Sequence, residues 1–331
     1  MYIIAEIAQA HDGSLGNALK FIEAAKLCGA DAVKFQAHIA DAESTREDKF
    51  RVNTFPQDKS RFEYWKRMEF SNTEWGLINE KCLEQNIDFI VSPFSVESVK
   101  QLCNFNIKYF KVGSGEILNL ELLETCTATH TPIILSSGMS NWDELKKAAD
   151  FVKKQNADFS FLQCTSKYPC KLSEIGLNII QELKDNLKCI QSGLSDHSGD
   201  EDVGIAACAL GCEILEVHIC WSKHMFGPDT SSSLDLDQLK RLCEFRDKMN
   251  LLKNPVDKDR SYIEFENMRK LFGRSLVASR NIAYGEAISE EMISFKKPGG
   301  GLSLEDKPRL IGAIANREFV KDELFYETDL I

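Results

Sequence analysis

Along the first 250 residues, short apolar runs alternate with longer stretches whose apolar positions recur at helical spacing. The runs at residues 3–8, 32–39, 89–94, 109–113, 133–137, 159–165, 189–194 and 214–221 are rich in β-branched and aromatic residues. They lack strict alternation, which is how a parallel strand covered on both faces reads. Residues 15–27, 120–128 and 143–154 carry the amphipathic pattern of surface helices. Ser71 followed by Glu74 predicts a capping box, and Asn141 predicts an N-cap before Trp142. Eight such units predict an α/β fold, a closed (β/α)8 TIM barrel. An open doubly wound sheet would place a glycine-rich phosphate loop after its first strand. The turn there is Gln9-Ala10-His11-Asp12-Gly13-Ser14 instead.

Two segments break this rhythm. Residues 41–70 are long, polar and aromatic, with Phe55, Phe62, Tyr64 and Trp65. They follow the second strand, where a barrel places active-site loops, and read either as a solvated excursion or as a wall or lid of a site. Residues 251–272 read as a charged linker with Pro255 and a helix. Residues 273–331 show short strands and glycine-rich turns, and 282–288 resembles 319–325. The pattern predicts a barrel at 1–250, a linker at 251–272 and a small β-rich domain at 273–331 made of two hairpin halves.

Composition narrows the function. A net charge of −11 argues against a nucleic-acid or membrane-surface partner, since both want clustered Lys and Arg. An anionic substrate would need a local group of cations. No run is long and apolar enough to span a bilayer, and the first residues lack a signal-peptide pattern. The eleven cysteines form no CxxC pair, so reduced thiols in a cytoplasm are expected.

Charged and polar residues gather at the carboxyl ends of the predicted strands: Glu6, Lys34 and Gln36, Lys111, Ser136, Ser195 with Asp196 and His197, and Glu216 with His218. A charge in a buried strand is costly unless it is paired or liganded. Any one of these could be an internal ion pair. As a set they mark the mouth of a barrel as an active site. His197 and His218, on adjacent final strands, make a candidate two-histidine metal site. Lys34 and Lys111 suit either anion binding or Schiff-base chemistry.

Taken together, the motifs resemble the sialic acid synthase family. They run in order: Ala5-Glu6-Ile7, His11-Asp12-Gly13-Ser14, Val33-Lys34-Phe35-Gln36, Ser92-Pro93-Phe94, Tyr109 to Glu116, Leu135 to Met139, Cys164-Thr165, Tyr168-Pro169, Gly193 to His197, Glu216-Val217-His218 and Gly227-Pro228-Asp229. Arg274-Ser275-Leu276 and Lys297-Pro298-Gly299 resemble the family's antifreeze-like (SAF) domain. The resemblance implies condensation of phosphoenolpyruvate with the open-chain aldehyde of an N-acylated mannosamine-type sugar, giving a nine-carbon 2-keto sugar acid and phosphate. It implies a divalent metal, Mn2+ or Mg2+, on His197 and His218, and a catalytic role for Glu116, Glu6 and Lys111. It assigns Lys34, Ser92, Ser114, Ser136 and Ser195, with Lys111, to phosphoenolpyruvate. Gln36, Tyr168 and Asp229, with Glu6, fall to the amino sugar. It also implies a domain-swapped homodimer in which Lys297 would reach the partner's sugar.

Three positions depart from the family's common pattern. Lys297 stands for an arginine, keeping the charge but losing the planar fork. Ser166 and Ala10 each stand for an asparagine. The Gly227-Pro228-Asp229 motif looks closer to the N-acetylneuraminate and legionaminate branches than to the pseudaminate branch. A legionaminate-type synthase using a 2,4-diacetamido-2,4,6-trideoxymannose, a Schiff-base aldolase on Lys34 or Lys111, and a pure binding protein are the competing readings.

Overall fold

The computed structural model describes residues 1–52 and 57–329, and the chain divides into two units, Met1–Lys253 and Asn254–Ile331. Phe55 lies outside the described residues. Eight parallel strands build the first unit: β1 (Tyr2–Glu6), β2 (Ala32–Ala37), β3 (Asp88–Pro93), β4 (Ile107–Val112), β5 (Ile133–Ser136), β6 (Phe159–Cys164), β7 (Ser192–Asp196) and β8 (Ile214–Ile219). Each pairs with the next, and β8 pairs back onto β1, so the barrel is closed. A two-residue strand, β9 (Ser233–Leu234), extends the sheet beside β8.

Helices α1 (Leu15–Cys28), α2 (Ala40–Glu43), α3 (Arg61–Met68), α4 (Asn72–Gln85), α5 (Val96–Leu102), α6 (Leu120–Ala128), α7 (Trp142–Lys154), α8 (Leu177–Leu187), α9 (Glu201–Ala209) and α10 (Leu236–Leu252) connect and cover the strands. Their starts follow from local chemistry. Ser71 with Glu74, and Asn141 with Glu144, form the reciprocal hydrogen bonds of capping boxes and satisfy otherwise orphaned backbone donors. α1 stops at Gly29, whose φ of 94° is left-handed backbone that glycine adopts without strain.

The core has two parts. One packs the outer strand faces against the helices. The other is a layer inside the barrel made of Ile4, Ala32, Ile90, Ile134, Leu162 and Ile214, with Tyr109 against it. Because side chains alternate along a strand, the residue two positions onward projects the same way. Those residues are Glu6, Lys34, Ser92, Ser136, Cys164, Glu216 and, beyond Tyr109, Lys111. On β7, Gly193 precedes Ser195; a Cβ on Gly193 would lie 1.9 Å from the Ile214 carbonyl oxygen and 2.8 Å from Leu162. The barrel interior thus changes from apolar to polar in a single layer, on all eight strands at once.

Two expectations for the first unit need correction. β7 spans Ser192–Asp196 rather than 189–194, so Ser195 and Asp196 lie within the strand. Cys189 instead belongs to the helix-side core. Residues 41–70 are not one loop: α2 and α3 form there, and Tyr64, Trp65 and Met68 bury a small cluster with Ala40.

In the second unit, α11 (Lys258–Glu264) and α12 (Glu266–Phe272) occupy the predicted linker, so that stretch is largely helical. β10 (Ser275–Ala278) and β11 (Ile293–Lys296) pair antiparallel, and a short helix, α13 (Lys307–Leu310), follows. The similar segments 282–288 and 319–325 are not separate hairpins. They face each other through an antiparallel bridge between Ile282 and Phe319, and both residues are buried in the unit's own core.

Candidate active site

The polar layer floors a cavity of about 850 Å3 at the carboxyl ends of the strands. That volume lies within the usual range for small-molecule sites. Lys34, Gln36, Ser92, Lys111, Ser114, Glu116, Ser136, Tyr168, Ser195, His197, His218 and Asp229 all line it. Glu6 lies just beneath, fully buried between β2 and β8, its Cα opposite Lys34 on one side and His218 on the other. Lys297 belongs to the second unit, where its ammonium sits 5.6 Å from the ring centre of Phe272.

The floor is a compact charge cluster. Lys34 Nζ lies 2.7 Å from Glu6 Oε2, 3.6 Å from Glu216 Oε1 and 3.0 Å from Ser92 Oγ. Lys111 Nζ lies 3.5 Å from the same Glu216 oxygen, which also accepts from Ser195 Oγ at 3.0 Å. Glu216 Oε2 is buried with no hydrogen-bond partner, an acceptor left over by the protein's own pairing. Burial opposes the Lys34 charge, but Glu216 and Glu6 outweigh it and hold the ammonium above its usual range. Burial raises the Glu6 carboxyl against the pull of Lys34. For Glu216, the two lysines overcome burial and keep the carboxylate ionised.

The histidines stand on one wall, ring centres 5.1 Å apart and nearly perpendicular. His197 Nδ1 contacts the Thr165 carbonyl oxygen at 3.1 Å. A carbonyl only accepts, so Nδ1 carries a proton toward it, and in the neutral ring the lone pair is on Nε2. Burial, with His197 and Lys34 nearby, holds His218 well below its ordinary value and therefore neutral. Burial also works against charge on His197, but Cys164 and the Thr165 carbonyl hold it above its ordinary value. Cys164 is buried too, yet His197, Lys111 and Ser114 bring its thiol down to about 6. Among the described residues no group of three His, Cys, Asp or Glu makes a complete metal cage. The donors these residues could offer a divalent cation are the two imidazoles of His197 and His218.

Sequence reasoning left out several residues that shape the cavity. Arg51 lies over the Tyr168 ring, 4.1 Å from its centre, while His197 stacks on Tyr168 at 4.1 Å. Arg51 also pairs with Asp229, joining the segment after β2 to residues beyond β6 and β8. Glu43, Glu47, Asp48, Phe50 and Trp65 line the same side, and Arg61 pairs with Asp48 at 3.2 Å. These contacts cross long sequence distances, and no local motif announces them. Ser166, one of the departures, lines the cavity. Gly138 makes room there: a Cβ would stand 2.4 Å from Ser166 Oγ and 2.5 Å from Ser114 Oγ.

Comparison with known proteins places this site in context. The model of the NeuB family matches residues 21–255, and that of the SAF domain matches 273–331. The chain is 36% identical to the N,N'-diacetyllegionaminic acid synthase of Campylobacter jejuni, over 98% of each chain. It is 33% identical to human N-acetylneuraminate-9-phosphate synthase, over 89% of this chain and 82% of the human one. Among solved structures, the N-acetylneuraminic acid synthetase of Leptospira borgpetersenii superposes with a TM-score of 0.69 at 30% identity, covering 80% of this chain and 91% of that one.

Proposed function

Since the chain belongs to the NeuB family, the sialic acid synthases, and ends in a SAF domain, we propose that it condenses phosphoenolpyruvate with an N-acylated mannosamine-type sugar to give a nine-carbon 2-keto sugar acid and phosphate. The observation that carries this reading is one polar layer holding two lysines and three serines, with Ser114, Glu116 and an imidazole pair lining the same cavity. Lys34 and Lys111, with Ser92, Ser114, Ser136 and Ser195, suit a carboxylate and a phosphate together. Glu6, above its usual range, can take a proton when the anion arrives and so relieve the lysines of one counter-charge.

In this mechanism C3 of phosphoenolpyruvate attacks the sugar aldehyde carbon, the carbonyl π pair moves to its oxygen, which takes up a proton to become a hydroxyl, and positive charge develops at C2. Glu116 is only partly buried and accepts from Asn119 at 2.7 Å. It stabilises that charge and takes a proton from the water that adds at C2. The C2–O bond then breaks and phosphate leaves. His197 and His218 would hold a divalent cation, Mn2+ or Mg2+, whose chemistry is Lewis-acid polarisation of the aldehyde oxygen. Gln36, Tyr168 and Asp229 bind sugar hydroxyls. Lys34, held protonated by two carboxylates, is a poor amine nucleophile, which weighs against the Schiff-base reading.

The side carrying α2, residues 44–52 and α3 favours an uncharged sugar. Glu43, Glu47 and Asp48 are acidic, Phe50 and Trp65 are apolar, and the nearby cations Arg51 and Arg61 are already paired with carboxylates. A sugar phosphate would meet repulsion there. N-acetylmannosamine and 2,4-diacetamido-2,4,6-trideoxymannose both satisfy this, and the 36% identity to a legionaminic acid synthase favours the second. The test is phosphate release with phosphoenolpyruvate, Mn2+ and a panel of these sugars plus N-acetylmannosamine 6-phosphate. Release should need both substrates, fall to background with chelator, and be weakest with the phosphorylated sugar. Undiminished release after metal removal would sink the metal assignment.

We further propose a homodimer in which the SAF domain serves a partner's barrel, with Lys297 directed to the sugar. Support comes from α11, α12 and the residue between them, where Tyr262, Ile263, Phe265, Leu271 and Phe272 are each more than half exposed in the single chain. An apolar row of this kind marks an association surface.

A further inference from the structure

His38 takes no part in the mechanism above, yet it is built into the cavity wall with unusual care. Its ring lies between Trp65, at 3.9 Å and 16° between planes, and Phe94, at 4.6 Å and 14°. It is 5% exposed. Nδ1 meets Glu43 Oε1 at 2.7 Å, and Nε2 lies 3.2 Å from both Gln36 Oε1 and Gln9 Nε2. A carboxylate only accepts, so Nδ1 carries a proton toward Glu43 and the ring cannot turn over. Glu43 is tied in turn by the Ile39 amide, which donates to Oε2 at 3.3 Å.

The same logic fixes Gln36. Its amide nitrogen donates to Glu6 Oε1 at 2.9 Å, so its oxygen must face His38 and Gln9, and Gln9 Nε2 does donate to that oxygen. A side chain with free rotation is thus clamped at both ends, by Glu6 below and by His38 beside it, while remaining partly open to the cavity. An aromatic sandwich needs no imidazole and no buried carboxylate to be stable, because a hydrocarbon ring would fill it without burying polar groups.

We propose that the His38–Glu43 pair is a positioning device for the amino sugar, acting through Gln36. It presents the Gln36 amide in one orientation, so that a sugar hydroxyl meets a fixed donor and acceptor. This rests on the reading that the cavity binds an amino sugar, and it adds two residues that would set the affinity for that substrate and not for phosphoenolpyruvate.

The experiment is a double-mutant cycle read in separate KM values. His38→Ala should raise KM for the sugar tenfold or more and leave KM for phosphoenolpyruvate within twofold. Glu43→Gln, which removes charge but little volume, should move the same KM in the same direction and keeps the test open if His38→Ala does not fold. Added imidazole should restore part of the sugar affinity of His38→Ala. In a Gln36→Ala background either substitution should add little, because the route to the sugar is already gone. An unchanged sugar KM, an equal rise in both KM values, or full additivity with Gln36→Ala overturns the proposal. Wild-type protein that releases no phosphate with any amino sugar is a different failure: it removes the functional reading first, and this inference with it.

Discussion

Glu216 is the residue on which the site's charge balance turns. One of its oxygens faces Lys34, Lys111 and Ser195 together. Glu216→Ala would leave two buried ammonium groups short of a counter-charge. A loss of about 3–5 kcal/mol is expected in urea unfolding, with activity lost as well. His11 supplies a pH dependence. Burial, with His38 and Arg67 near, pushes its imidazole down to about 3 from an ordinary 6.5. Between those values the unfolded chain binds a proton that the folded chain refuses. Stability is therefore full above pH 6.5 and falls as pH drops toward 3, by up to about 1.4 kcal/mol per pH unit. Urea midpoints from pH 7 to 5 should fall more steeply for wild type than for His11→Phe. At this scale the sequence is informative where a charge interrupts an apolar strand, as at Lys34 and Lys111. It is silent on His38, Glu43 and Arg51, whose meaning lies in partners that only folding brings near.

The elements were legible in proportion to how local their causes are. The capping boxes at Ser71 and Asn141 are local, and helices begin there. α3 is not legible in the sequence, because Tyr64, Trp65 and Met68 sit among charged neighbours and read as loop residues. β7 reads too early in the sequence because Cys189 and Leu194 are both apolar, while strand membership of Ser195 and Asp196 is decided by pairing with Glu216 and Val217 on β8. The turn after β5 offers a test at this scale. Gly138→Ala would drive a methyl group against Ser114 and Ser166. More than tenfold loss of activity is expected, with a small change in thermal midpoint because the neighbours are side chains at a cavity edge. Unaltered kinetics would show that neither serine needs its present place.

For the whole molecule, counting strands sufficed to identify a closed barrel, but not what the appended domain is for. If α11 and α12 meet a second copy, sedimentation should give twice the 37.4 kDa chain mass. Ile263→Asp with Phe272→Asp should shift the protein toward monomer and lower activity with it. A stable wild-type monomer with full activity would refute the dimer.

The single polar layer has a consequence in time as well as in space. A chain made from its amino terminus acquires Lys34 and Lys111 long before residue 216, and a domain generally folds as a unit. Until β8 closes against β1, neither lysine has its shared carboxylate and neither histidine has the other. A nascent or truncated chain that ends before β8 lacks Glu216 and His218 and should show no activity.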